Sequence, residues 1–413
     1  MNLTDRDAVN GLLTPEAVRE RCLDILKIAK EGKLYHFELH QNKFDHVIKL
    51  VLEEISSNYP EGNIPIHSRW RHFEFDSQNL WAESFRTIKN FTASEVARRR
   101  IDLAFVSVLL DAGAGIKWRY FDKKTGISSG RSEGLAIASI RLIESGLLSA
   151  NGKDDPFRVD ACALEGLTKE ELGLAFQVTK SNSLVGLEER SNILNQLGKA
   201  VRTQTEFFSY NGTLRPGNIF DFLASKQKNG MLGAPDILVA ILQAIGGIWP
   251  DGLQIAGIPV GDVGYHEGVV REDITNGILP FHKLSQWLAY SLIEPLEEAG
   301  IKIINLDGLT GLAEYRNGGL LIDTKLLTLK NAGQVTRLHD PKSSLVTEWR
   351  GLTVALLDEI ALRVRGETGK NPENLPLSSI LQGGTWSAGR SIAKTLRKDG
   401  RPPLLLNSKG TLF

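Results

Sequence analysis

TPEAVRERCLDILKIAK, residues 14–30, decides how the rest of the chain is read. Thr14 suits an N-cap, Pro15 a first helical position and Glu16 the acid of a first turn, so a helix is predicted to run to about Lys30. Working outward, Phe44, Val47, Ile48, Val51, Leu52 and Ile55 recur at helical spacing and predict a second amphipathic helix. A third follows Thr92 through Leu103, Val106 and Leu110. Further helices are predicted near residues 131–146, 168–177, 187–204, 217–225, 235–246, 281–298, 348–366 and 386–397. Strand signals are short: 302–306, 320–323 and 404–406, with Trp118 to Gly130 read as a strand-and-turn excursion about Lys123-Lys124-Thr125-Gly126. The expected architecture is mainly α, one domain over residues 1–413 carrying small β elements, with the polar stretch 151–156 as a candidate seam.

Lys plus Arg and Asp plus Glu each number 49, so no global positive field exists to attract nucleic acid. Arg98-Arg99-Arg100 is a local basic run, read either as a solvated helix face or as a small binding patch. Cys22 and Cys162 match no metal spacing and no CxxC motif, and two cysteines in 413 residues do not make an oxidised framework. No run of about 18 apolar residues suggests a membrane span. MNLTDRDAVNGLLTPEAVRE has early acids and no apolar signal core. The expectation is a cytoplasmic protein that acts on a small molecule, with neither nucleic acid nor membrane as partner and no cofactor. The sequence does not set the oligomeric state.

Three segments place polar residues in otherwise apolar sequence. In PFHKLSQWL (280–288), Lys283 and Gln286 lie one turn apart beside the stripe Leu284, Trp287, Leu288 and Leu292. They suit hydrogen bonding to a ligand; a boundary helix with a snorkelling lysine fits the same spacing. In LTGLAEYRNGGLLID (309–323), Glu314, Tyr315 and Arg316 follow one another in Gly-rich sequence, where an arginine can hold a carboxylate ionised. A turn stitched by an ion pair fits as well. At Glu348-Trp349-Arg350 (348–350), Glu348 reads as an acid in a first helical turn, with a structural ion pair as the plain alternative.

Together with RRRIDLAFVSVLLDAGAG (98–115), EPLEEAG (294–300), GGTWSAGR (383–390) and GTLF (410–413), these strings resemble a uracil-catabolism family long carried as a domain of unknown function. In fungi that family belongs to the ring-opening route of pyrimidine degradation. Parts of the chain also resemble the queuosine-nucleotide hydrolases, which cleave an N-glycosidic bond and have a helical, DNA-glycosylase-like fold. Their FYKRAQ pattern reads FHKLSQ here, keeping Lys283 and Gln286. Their LTxFADYR reads LTGLAEYR, with Glu314 in place of Asp. Their EIRG reads EWRG, and their RILNETGKIL resembles Asn192 to Lys199.

The resemblance implies cleavage of a ribosyl C–N bond, with positive charge building on the sugar as in O-glycoside hydrolysis. In that scheme Glu314 stabilises the charge or activates water, and Arg316 holds it or binds a sugar or phosphate oxygen. Lys283 or His282 supplies a proton to the departing nitrogen. Gln286, Tyr315, Glu348 and Arg350 line the substrate, and His67, Arg69, Arg71 and His72 are the densest cationic string for a 5′-phosphate. The pathway context implies ribosylurea or its 5′-phosphate as the small-molecule ribosyl substrate. Two other readings are open. One is metal-dependent hydrolysis using Asp262, His266, Glu267, Asp273 and His282, although no HExxH template is present. The other is a non-catalytic ligand sensor or scaffold.

Overall fold

The computed structural model describes residues 3–75, 78–85, 91–249 and 252–407; Met1, Asn2 and the string GTLF lie outside them. The chain forms two compact units, both discontinuous in sequence. The first takes Met1–His67, Leu253–Gln286 and Asn305–Asn407; the second takes Ser68–Gly252, Trp287–Ile304 and Ser408–Phe413. Stretch 151–156 lies inside the second unit. Among the described residues no helix is long and apolar enough to cross a membrane.

The protein is mainly α, as the sequence predicts. In the first unit the opening motif forms the helix Pro15–Lys30, and the Thr14 side chain accepts from the Ala17 N–H at 3.2 Å. Val18, Cys22, Ile25, Leu26 and Ala29 form its buried face, which packs along the helix Ser344–Thr368. Every residue from Leu345 to Leu357 of that long helix is buried. Buried on all sides over this stretch, the helix serves as the unit's axis. It ends at Gly369, whose φ of 64° is a left-handed cap that glycine adopts without strain.

Short two-stranded pairs tie loops to this helical frame. Phe37–Leu39 pairs antiparallel with Leu327–Leu329, Val263–Tyr265 antiparallel with Ile278–Pro280, and Leu338–His339 parallel with Leu405–Leu406. In the second unit, Ala93–Leu109, Arg131–Glu144 and Leu187–Thr203 are the longer helices. The Trp118–Gly130 excursion is a hairpin of Tyr120–Phe121 and Ser128–Ser129, and Lys302–Ile304 pairs parallel with Met231–Gly233.

Two expectations change. Residues 320–323, read as a strand, are the end of the helix Tyr315–Asp323. A short run of three apolar residues before Asp323 fits either state, and here Leu320, Leu321 and Ile322 are all buried on a helix that Glu314 caps. The basic run is neither a solvated face nor a patch: Arg98, Arg99 and Arg100 are 7, 3 and 5 % exposed. Arg98 forks onto Asp221 at 2.7 and 2.8 Å, Arg99 binds Glu95 and Asp155, and Arg100 binds Glu298 and stacks 4.0 Å over Trp70. Burial of these guanidinium groups is tolerated because each has a carboxylate partner.

Candidate functional site

The first unit gathers the motifs PFHKLSQ, LTGLAEYRN, EWRG and GGTWSAGR around the helix Tyr315–Asp323. Gln286 is fully buried and pins the loop that leads into this helix: its Oε1 accepts from the Thr310 N–H at 3.0 Å, and its Nε2 donates to the Thr310 hydroxyl. On one side Gly318 meets the long helix. An added Cβ there would lie 2.8 Å from the Trp349 ring and 2.9 Å from Thr353 Oγ1, and Trp349 Nε1 donates to the Gly318 carbonyl at 3.0 Å. On the other side Gly389, in the helix Trp386–Leu396, abuts the Arg316 backbone so closely that a Cβ would overlap the Arg316 carbonyl. That oxygen is rigid main chain. Gly389→Ala is therefore expected to cost about 1–3 kcal/mol by overpacking, read as a lower melting temperature, and to displace the Arg316 backbone that holds Glu314.

Glu314 is the N-cap of this helix. Its Oε2 accepts from the Arg316 N–H at 2.7 Å and its Oε1 from the Asn317 N–H at 2.6 Å. An ionised carboxylate offers about four acceptor positions, so two remain for a ligand. Asp, Asn, Ser and Thr are the favoured N-caps; glutamate reaches the same donors with one more methylene. Burial pushes the Glu314 carboxyl above the ordinary glutamate range. The two backbone donors and the charges of Arg316 and Lys283 pull it down without cancelling that rise.

Lys283 is half-buried at the start of the helix Lys283–Glu298, and its positive charge acts on both Glu314 and Asp262. Its backbone N–H donates to Asp262 Oδ2 at 3.1 Å. Asp262 in turn receives Arg350 in a bidentate fork at 2.8 and 2.6 Å, and the guanidinium lies 3.9 Å over the Phe281 ring. Burial raises the Asp262 carboxyl, but Arg350 and Lys283 outweigh it and hold it low.

The remaining candidates divide. The Arg316 guanidinium does not pair with Glu314; it reaches the Gly400 carbonyl at 3.0 Å and lies against the half-buried Tyr315 ring. His282 sits at φ 48° and donates from Nε2 to the Leu12 carbonyl at 2.8 Å; burial lowers its pKa, so the ring is neutral. Glu348 does not stand in a first turn, because its helix begins at Ser344. Fully buried, it accepts from the N–H groups of Tyr35, His36 and Phe37 at 2.9–3.0 Å and from His266 Nε2 at 3.3 Å. Burial raises its carboxyl, yet these donors hold it low, and its partner is the Phe37–Leu39 strand and its lead-in rather than Arg350.

The cationic string is dispersed. His67, in the first unit, bonds Gln382 at 2.9 Å. In the second unit Arg69 is fully buried against Asp111 at 2.8 Å, Arg71 pairs with Glu294 at 2.7 Å, and His72 packs edge-on to Trp287. Both arginines already hold carboxylates, which removes the reason for expecting a phosphate there. The residues weighed as metal ligands also have separate duties: Asp262 on Arg350, His266 on Glu348, His282 on Leu12 and Asp273 on Thr275. Among the described residues no three His, Cys, Asp or Glu side chains converge as a ligand set. Two clefts of about 240 and 450 Å³ are lined by residues of the second unit. Their arginines, Arg141 in one and Arg71 and Arg100 in the other, are each bound to carboxylates, so the chemistry favours the Glu314 site.

In the sequence Asp262 stands out only as a metal-ligand candidate, and no local pattern marks Thr310 or Asn317, since their roles are set by the fold. What remains together is a capped, half-buried carboxylate within the electrostatic reach of a lysine. Such a pair can stabilise a cation, polarise water and donate a proton.

Comparison with known proteins agrees with the motifs. The chain is 37 % identical over 421 residues to "Protein urg3" of Schizosaccharomyces pombe, covering 98 % of this chain and 99 % of that protein. It is 36 % identical over 448 residues to "Uracil catabolism protein 4" of Lachancea kluyveri, covering 100 % of each. A family profile described as "Protein of unknown function (DUF1688)" matches residues 11–413. With full-length relatives and a profile spanning nearly every residue, this chain belongs to the DUF1688 family.

Proposed function

We propose that this protein works in uracil catabolism as an N-ribosyl hydrolase, converting ribosylurea or its 5′-phosphate to urea and ribose or ribose 5-phosphate. The pathway rests on the similarity to a relative named a uracil catabolism protein. The reaction rests on one observation: a Glu314 carboxylate whose two oxygens are aimed by the Arg316 and Asn317 backbone donors, with the positive charge of Lys283 acting on it. As the bond from sugar C1 to the ureido nitrogen breaks, its electron pair leaves with the urea, and Lys283 supplies the proton that nitrogen needs. Glu314 offsets the positive charge on C1 and takes a proton from the water whose oxygen bonds to C1. Proton return from Glu314 to Lys283 through solvent resets the site, so the net change is one water consumed.

The test is incubation of the full chain with ribosylurea and with its 5′-phosphate, followed by assay for urea and free sugar. Equal release of both supports the proposal; no release from either compound rejects it. The pH profile carries a further expectation. Glu314 must be ionised to act, so activity is full above its pKa and falls as pH drops through it. Because burial raises that pKa, the acid limb of kcat lies above the ordinary glutamate range. The limb moves in Glu314→Asp; a limb at the ordinary value that ignores this change would assign it to another group.

A further inference from the structure

We infer that the Asn317 side chain recognises the ureido group of the ligand. The inference rests on the hydrolase reading above for the identity of that ligand. Asn317 is fully buried, and among the described residues neither end of its carboxamide, Oδ1 or Nδ2, has a hydrogen-bond partner. Most of the other unmatched buried atoms belong to side chains that bond through another atom, as in Arg69, Asn218 and His282, or are single hydroxyls. A buried amide unmatched at both ends is costly, and native proteins keep few of them without a reason.

Its position supplies the reason. The Asn317 N–H donates to Glu314 Oε1 at 2.6 Å, so the amide sits on the residue that aims the carboxylate. In the proposed reaction the leaving group is bonded to the sugar carbon that Glu314 serves, so whatever recognises that group must stand beside Glu314. A carboxamide offers one acceptor and two donors on adjacent atoms. A ureide, –NH–CO–NH₂, presents the complementary N–H and C=O side by side. Two antiparallel hydrogen bonds would satisfy both partners and hold the scissile nitrogen in place. Because the amide is closed off from solvent, contact with a ligand requires the segment leading into the helix to open.

The test uses Asn317→Leu and Asn317→Asp in the full chain, with ribosylurea and ribose 5-phosphate as calorimetric probes and thermal unfolding as a second readout. Leucine removes a buried unmatched amide at similar size, so the melting temperature is expected to hold or rise. Ribosylurea binding is expected to weaken at least about tenfold in both variants, with binding of ribose 5-phosphate little changed. A clear drop in the melting temperature of Asn317→Leu would show that the amide already has its partners in the fold, and would overturn the inference. So would ribosylurea binding that is unchanged in either variant, or absent from the wild type. Asn317-dependent binding without cleavage would sink the hydrolase reading and leave this one standing; cleavage with an Asn317-independent KM would do the reverse.

Discussion

Glu314→Gln is expected to lower ribosylurea turnover by roughly 100-fold or more, because electrostatic stabilisation of developing charge is commonly the largest catalytic contribution. The change keeps the size of the side chain and removes its charge. Substrate affinity should move far less, since the charge matters mainly once the C–N bond is breaking. The cap also feels the change. Both Glu314 oxygens accept backbone N–H groups, and the Gln amide nitrogen can accept neither, so one bond is lost at about 1 kcal/mol of stability. That loss is small enough to leave a folded protein for assay. Glu314→Asp is the milder probe. Aspartate is a favoured N-cap and is what the distantly similar hydrolases carry, so it should keep the cap and part of the activity. The measurements are urea release and thermal unfolding on the same samples; full turnover in Glu314→Gln would remove this residue from the mechanism.

The second large effect concerns the pair beneath Lys283. Asp262 and Arg350 are 9 and 5 % exposed, and their bidentate contact leaves neither charge alone. Asp262→Ala strands a buried guanidinium and takes away the acceptor for the Lys283 N–H. A cost of about 3–5 kcal/mol is expected, measured by denaturant unfolding. Removing both charges in Asp262→Ala/Arg350→Met should recover much of that loss, because the stranded charge carries most of the penalty. The pH dependence has a definite sign. Asp262 is held below the ordinary aspartate range, so the pair's contribution is complete above that range and is lost as pH falls through the depressed value. A fully stable Asp262→Ala would mean that Arg350 finds another partner and that Asp262 does not organise this corner.

Local signals carried the helices well. The Thr14-Pro15-Glu16 start and the spacing from Phe44 to Ile55 appear in the structure as the helices Pro15–Lys30 and Phe44–Asn58, because capping and amphipathicity act within a few residues of chain. Segment 320–323 reads as a strand because three apolar residues before Asp323 carry no period; what makes it helical is the Glu314 cap and the packing of Gly318 on Trp349. The Arg98–Arg100 run reads as a solvated face or a patch because, Glu95 apart, its acids Asp155, Asp221 and Glu298 lie far along the chain. The same limit applied to the site. Glu314 with Lys283 and Gln286 was visible as a motif pair. That Glu348 serves the Tyr35–Phe37 backbone, and that Arg350 answers to Asp262 rather than to its neighbour, depends on contacts 311–313 and 88 residues apart. Nor could spacing foresee two units that each draw on separated stretches of chain.

The most direct measurement is a product balance on ribosylurea with wild-type protein and Glu314→Gln side by side. One urea and one ribose per substrate consumed are expected, with no ammonia, and near-complete loss of both products in the variant. Ammonia and carbon dioxide appearing in place of urea would mean that the ureide, not the ribosyl bond, is being cut, and would contradict the assignment of this site as an N-ribosyl hydrolase.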